Sequence, residues 1–267
     1  NIIIGTIIAS FLPVGAISHI YYADRLNQLP LAIFGIALGV VLLPRLSKAI
    51  KQNNQTDINS IQNRSLEFSL LIALPSAVGL YVLAYPIIHI LFERGAFVHE
   101  DTFFTANVLS FFALGLPAYI IIKILVTCFF AREDTKTPLY ISIISVISNI
   151  VISLVLIQSM REMGIATATA ISAWINAGLL YLILHLQSKI ILDSLFIKNI
   201  FKIIIATTIL VFVASYLSRT LFIEINDISM LIKIIYLISI IVICKIIYLG
   251  LIIVLKVLSF NDLKGYI

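Results

Sequence analysis

Residues 103–126 read FFTANVLSFFALGLPAYIIIKILV, twenty-four positions whose only charge is Lys123. At a rise of about 1.5 Å per residue, such a run makes a helix of about 36 Å, enough to cross a hydrocarbon core about 30 Å thick. The run is continuously apolar rather than alternating, which selects a helix over the short alternating strand of a membrane barrel. Working outward from it, comparable runs predict spans near 2–22, 26–46, 68–92, 138–158, 164–187, 200–220 and 231–256. The composition agrees: 61% of residues are hydrophobic and 12% charged, with mean hydropathy +1.12, against roughly half apolar and a quarter charged in soluble domains. The expected class is an all-α, polytopic membrane protein with about eight transmembrane helices. That composition excludes a soluble enzyme, a nucleic-acid binder and a disordered tail; the net charge of +5 does not restore a nucleic-acid partner, because the 18 basic residues are scattered between apolar runs instead of forming one patch.

Eight spans place alternate connections on opposite sides, and basic residues mark the cytoplasmic one. Eleven Lys and Arg, from Arg45, Lys48 and Lys51 to Lys256 and Lys264, fall on one side; Arg25, Arg94, Arg161 and Arg219 fall on the other; Lys123, Lys233 and Lys245 lie within spans. The eleven-residue side is read as cytoplasmic, with the C-terminus on it. Residues 47–67 form the one long polar connection, with room for an interfacial helix but not for a catalytic domain. The sequence starts at Asn1, and its first apolar run has neither a basic flank nor a cleavage-type end; it reads as a span in a chain cut from something longer, not as a signal peptide. Cys128 and Cys244 sit in apolar runs without CxxC spacing, so neither a disulfide framework nor a metal site is indicated.

Signatures of hydrolases, zinc enzymes and nucleotide-binding loops are absent. His19, His89, His99 and His185 are far apart and mostly near span ends, where interfacial or hydrogen-bonded roles suffice. The segment Tyr21-Tyr22-Ala23-Asp24-Arg25-Leu26 reads as an outer turn, either an interfacial belt or the place where a phosphate-seeking guanidinium meets a cavity. Pro30 predicts a kink beside a cavity, and Gly35 with Gly39 a close helix contact. Lys123 lies nine residues before Arg132, about 13 Å from the boundary, too deep to snorkel comfortably, so a cavity-facing ammonium is expected. Lys245 is similarly deep, with lipid-headgroup pairing or an oligomer contact open to it. Asn149, Ser153, Thr167 and Thr169 suit interhelical hydrogen bonds, or a weak cation site lacking a carboxylate. Two loops, Phe92 to Phe97 with Glu93 and Arg94, and Phe130 to Pro138 with Arg132 and Asp134, are candidates for gating. Capping and topology also account for them, with Thr137 as N-cap and Pro138 as the first helical residue.

Taken together, Tyr21 to Leu26 with Leu29-Pro30, Phe34 to Gly39 running on to Leu43-Pro44 and Leu46-Ser47, Leu91 to Phe97, and Phe130 to Pro138 resemble, in this order, the lipid II flippase family, MurJ or MviN. This family belongs to the multidrug/oligosaccharidyl-lipid/polysaccharide exporter superfamily. The resemblance covers essentially the whole chain but only the second half of the family's fourteen-helix fold, helices seven to fourteen. It implies a transporter, not an enzyme, that moves lipid-linked peptidoglycan precursor across the bacterial inner membrane by alternating access, in the service of cell-wall biogenesis and cell shape. It implies a six-helix lobe at residues 1–187 and two further helices at 188–267 that form a groove for the polyprenyl tail. Arg25 matches a functionally important cavity arginine and Asp24 its acidic neighbour; with Lys123 they make up the expected substrate-binding set.

The family's other cavity arginines belong to the first half, so the expected partners are lipid II, membrane lipids and a missing N-terminal half, without which this chain is expected to be inactive. No cofactor is implied beyond a possible sodium ion or coupling to the membrane potential. Asn149 and Thr169 correspond to positions of a sodium site proposed in some members, but Ser153 stands where that site has an acid. The alternatives are a flippase for another polyprenyl-linked glycan, a drug exporter of the same superfamily, a membrane transferase, for which the loops hold too few carboxylates, and an inactive remnant of a split gene.

Overall fold

The computed structural model describes residues 2–222 and 229–257, with side chains except those of residues 2–4, 33–40 and 221–222. The described chain is helical: α1 (Ile2–Ala9), α2 (Ala16–Lys51), α3 (Gln55–Val82), α4 (Ala84–Phe92), α5 (His99–Phe130), α6 (Lys136–Met160), α7 (Glu162–Leu186), α8 (Ser194–Phe222) and α9 (Met230–Val254). Six of these helices, α3 and α5 to α9, are long and apolar enough to cross a membrane. Of the eight expected spans, the one near 68–92 is divided between α3 and α4, and the first is cut short: α1 has eight residues, about 12 Å of helix against a hydrocarbon core about 30 Å thick.

Three boundaries differ from expectation. The first turn lies at residues 10–15, not at Tyr21 to Leu26, which sit inside the 36-residue helix α2. Pro13 and Gly15 explain this: Gly15 adopts φ +103, open to glycine at little cost, whereas Tyr21 to Leu26 contain no residue that breaks a helix. Asp24 and Arg25 resembled loop residues only because they are charged. The long polar connection also shrinks, because α2 and α3 run through most of it and meet at residues 52–54. There Asn54 caps α3 by accepting a bond from the Asp57 N–H at 3.2 Å. Finally, the span near 68–92 breaks at Leu83. Pro86, third residue of α4, lacks an N–H and its ring cannot pass the carbonyl four residues earlier, so a continuous helix stops there.

Helix α5 is the axis of the molecule, packed against α2, α3 and α7, and 61% of its most apolar window is buried. In lipid, apolar surface alone gives helices no reason to associate, so close van der Waals packing between small residues carries the contact. Ala118, Ala173 and Ala177 form such a seam, and a Cβ on Gly115 would fall 3.0 Å from the Ala170 Cα. Helix α6 touches mainly α7 and turns Ile143, Ile147, Val151 and Leu154 outward. Helices α8 and α9 pair and cover α3 and α4 through Ile203, Leu210, Ile240 and Tyr248, with the Tyr248 hydroxyl donating to the Leu71 carbonyl at 2.7 Å.

The turns gather at two ends. At one, Arg132 donates to the Lys189 carbonyl and Asn63 to that of Ile191, joining the 131–135 and 187–193 loops to the start of α3. Most Lys and Arg lie here, and we call it the basic end. At the far end, His19 meets both Asp101 and Glu162, bringing the starts of α2, α5 and α7 together.

Candidate functional site

Helix α2 carries the clearest polar feature within a long helix. Tyr21, Arg25 and Leu29 repeat every four residues along one face, while Ala23, Leu26 and Asn27 are buried on the other. Arg25 is nine residues from the start of α2, about 13 Å into the helix from the far end. Its guanidinium lies over the Tyr21 ring, 4.7 Å from the centroid, and Nη1 donates to Gln28 Oε1 at 3.4 Å. The Gln28 amide in turn donates to Asp24 Oδ2. Gln28 thus stands between the two charges, and among the described residues Arg25 has no ion pair. A stacked guanidinium with most of its donors unused is suited to a phosphate. Asp24 faces the other way, into a cavity of about 180 Å³ between α1, α2, α5 and α7 that Tyr21, Thr6, Ile17, Ile20 and Thr169 also line.

Lys123 is exposed on α5, seven residues from its basic end, and no ion pair among the described residues holds it. It is not brought together with Asp24 and Arg25: roughly 20 Å of helix axis separate them at about 1.5 Å per residue. Lys245 lines a larger, almost wholly apolar groove of about 500 Å³, together with Pro30, Pro75, Leu210 and Tyr248. Pro30 therefore does border a cavity. The expected contact at Gly35 and Gly39 lies outside the residues whose side chains are described.

The two loops are built as locks. Glu93 Oε2 accepts from His89 Nδ1 at 2.7 Å and from the Thr102 hydroxyl at 2.6 Å. Lys233 on α9 lies 3.1 Å from His89 Nε2; an ammonium can only donate, so that nitrogen accepts and Nδ1 carries the proton given to Glu93. Burial pushes the Glu93 carboxyl up, but the bonds from Thr102 and His89 and the two nearby histidines outweigh it, leaving it below the usual carboxylate range. Arg94 is exposed and caps α4 through the Leu91 carbonyl at 2.8 Å.

At the basic end Arg132 donates to the carbonyls of Cys128 at 2.7 Å and Lys189 at 2.9 Å. The start of α6 differs from expectation. Lys136 is the first helical residue and Pro138 the third, and Asp134 does the capping, accepting from the Thr137 N–H at 3.0 Å and its hydroxyl at 2.8 Å. Those bonds from Thr137, with the nearby Lys189 charge, hold the Asp134 carboxyl below its ordinary range against the opposing effect of burial.

Asn149 and Thr169 do meet, the Asn149 amide donating to Thr169 Oγ1 at 3.1 Å and Ser172 Oγ at 3.3 Å. With Ser153 where an acid would be needed, this donor set is neutral, and the Asn149 amide and the Thr169 and Ser172 hydroxyls are engaged with one another and with backbone carbonyls, a poor fit to a sodium ion. Ser153 Oγ is buried without a hydrogen-bond partner among the described residues. Among the described residues no three His, Cys, Asp or Glu gather as metal ligands.

Two clusters escaped the sequence reading. At the basic end Arg64 pairs with both oxygens of Asp193 at 2.9 and 2.8 Å and also binds Glu67, which accepts from Asn199 at 2.6 Å. At the far end is the His19 cluster. Partners more than eighty residues apart have no local spacing to betray them; the only sign was polar residues inside apolar runs.

A profile of the family described as "Lipid II flippase MurJ" matches residues 1–255. The chain is 38% identical over 262 residues to a probable lipid II flippase MurJ of Rickettsia prowazekii, covering 98% of this chain and 52% of that protein. It is 42% identical over 210 residues to the corresponding protein of Rhizobium meliloti, covering 79% and 39%. A solved structure titled "Lipid II flippase MurJ, inward closed conformation" superposes with TM-score 0.71 at 30% identity over 93% of this chain and 50% of that one. The chain thus spans about half the length, or less, of the relatives it matches.

Proposed function

The chain belongs to the lipid II flippase MurJ family, and from that premise we propose that it is the second half of such a flippase: residues 1–187 form one transport lobe and residues 188–267 an appended pair of helices along which the lipid tail lies. The substrate is lipid-linked peptidoglycan precursor, carried from the cytoplasmic to the opposite leaflet of the bacterial inner membrane. The basic end is read as the cytoplasmic end, since ten of the eighteen basic residues lie at it among the described residues, in keeping with the positive-inside rule.

The observation that carries this reading is Arg25: a guanidinium inside a span, stacked on Tyr21 and free of any described ion pair. A pyrophosphate crossing the membrane must exchange its water for fixed positive charge, because an unpaired charge at the bilayer centre costs several kcal/mol. Arginine supplies that charge without deprotonating. Asp24 and Gln28 orient the segment, and Lys123 offers a second cationic position nearer the cytoplasm for the headgroup on its path. No covalent bond changes, so nothing in this reading calls for catalysis, and no cofactor enters it. A first half, absent from this sequence, completes the cavity.

The test is rescue of growth after depletion of a host's own lipid II flippase, using this chain joined to a family first half. Wild type restores growth; Arg25→Ala at equal membrane abundance does not. Failure of both despite correct insertion favours a related exporter of another polyprenyl-linked glycan or a decayed remnant.

A further inference from the structure

His19 sits at the far end of α2 with 6% of its surface exposed, and both of its ring nitrogens face carboxylates. Nδ1 lies 3.3 Å from Glu162 Oε1 on α7, and Nε2 lies 3.0 Å from Asp101 Oδ1 on α5. Carboxylates accept and do not donate. A neutral imidazole has one N–H and one lone pair, so it satisfies one of these neighbours and repels the other; an imidazolium satisfies both. Glu162 strengthens the requirement. It is fully buried, its Oε2 accepts no hydrogen bond, and Arg161 Nε stands 3.6 Å from that oxygen.

The surrounding charges can be enumerated. Helix α5 presents Asp101; α7 and the turn before it present Glu162 and Arg161, whose guanidinium lies 5.2 Å from the Phe104 ring centroid. Phe104 stacks on His19 itself. Helix α1 has no titratable side chain; α2 carries Tyr21 and Tyr22 close by, and its nearest carboxylate, Asp24, is engaged with Gln28. Two carboxylates against Arg161 leave one negative charge uncompensated, and one proton on the ring closes that balance. Gly15 makes room for the ring, since a Cβ there would sit 3.4 Å from it.

We infer that His19, Asp101 and Glu162 form a proton-binding site that latches the start of α2 to α5 and α7, and that loss of its one proton releases α2. The cavity lined by Ile17, Ile20 and Asp24 begins beside His19 on the same helix, so the latch sets how closely α2 covers it. This rests on geometry within one lobe and does not depend on which lipid the whole protein carries.

The test uses the 267-residue chain in lipid nanodiscs, with ¹⁵N-labelled histidine and hydrogen exchange measured from about pH 5.5 to about pH 9, the range in which imidazoles change charge. His19→Gln assigns the ring signals, and exchange is corrected for its intrinsic pH dependence. Both ring nitrogens of His19 carry protons at the acid end. As that signal converts to a single-proton form, exchange at residues 16–22 rises about tenfold or more, while residues 105–125 of α5 stay protected. Glu162→Gln moves both transitions together to lower pH, and His19→Gln gives fast exchange at residues 16–22 at every pH. A singly protonated ring already present at the acid end overturns the proposal, as does exchange at residues 16–22 that does not follow the ring signal.

Discussion

Arg25 shows how a single residue's neighbours decide its use. Tyr21 below it and Gln28 beside it fix the guanidinium without neutralising it. Arg25→Lys keeps the charge but loses the planar fork that suits phosphate; rescue of a flippase-depleted host by the joined protein is expected to fall below wild type yet exceed that of Arg25→Ala. A lost charge-assisted hydrogen bond is worth about 1.5 to 3 kcal/mol, so the alanine variant's transport rate should drop by about tenfold or more. Asp134 permits a test of a different kind. Its folded-state pKa is held below the ordinary value by bonds from Thr137, so its stabilisation is present above that ordinary value and disappears as pH falls through the depressed one. Asp134→Ala should cost about 1 kcal/mol at neutral pH, the usual worth of a helix cap. Thermal unfolding in detergent should show the variant and wild type converging in acid; a gap of unchanged size there contradicts the capping role.

At the scale of elements, what was legible in the sequence was apolar length. Six of the eight runs fall on described helices long and apolar enough to cross a bilayer, because continuous hydrophobicity in a lipid solvent leaves the backbone no choice but a helix. The ends were harder to read. Charge at Asp24 and Arg25 marked a loop that the helix ignores, whereas Pro13 and Gly15, a better signal, sat inside a run that apolarity made look whole. The functional candidates divided by range: Asp134 acts on neighbours a few residues away and could be read locally, but Arg132 also reaches the Lys189 carbonyl, and Glu93 serves α4, α5 and, through His89 and Lys233, α9. No spacing rule connects residues 89 and 233. The docking of α9 makes its own prediction. Tyr248→Phe keeps the ring in the groove and removes the hydroxyl, with its bond to the Leu71 carbonyl and its contact with Thr207, so stability should fall by about 1 kcal/mol. Proteolysis or hydrogen exchange should place the loss on α8 and α9, with α5 unchanged; a loss spread evenly over the lobe would count against the pair as a separate layer.

For the molecule as a whole, charge and length set the expectations. With the basic end in the cytoplasm, a cysteine at Gln187 is labelled by an impermeant thiol reagent only after the inner side is made accessible, and one at Ala96 from the outside of intact spheroplasts. Cys128 and Cys244 are both buried, so the native thiols contribute little background. The reverse labelling pattern would invert the topology proposed here. Expressed alone, the chain should insert but fail to rescue a flippase-depleted host, and co-expression with a first half from a relative should restore growth if the two halves assemble as separate polypeptides.

Asp193 does two things with one carboxylate: it accepts from the Phe196 N–H to begin α8, and it grips Arg64 on α3 with both oxygens. Ribosomes make these partners in a fixed order. By the time Asp193 is polymerised, Arg64 has been in place for 129 residues of synthesis, its guanidinium facing the position that the last helices will occupy. The expected consequence is that the earlier helices offer the final pair a partly assembled docking surface during biogenesis, with Arg64 among the groups that receive it.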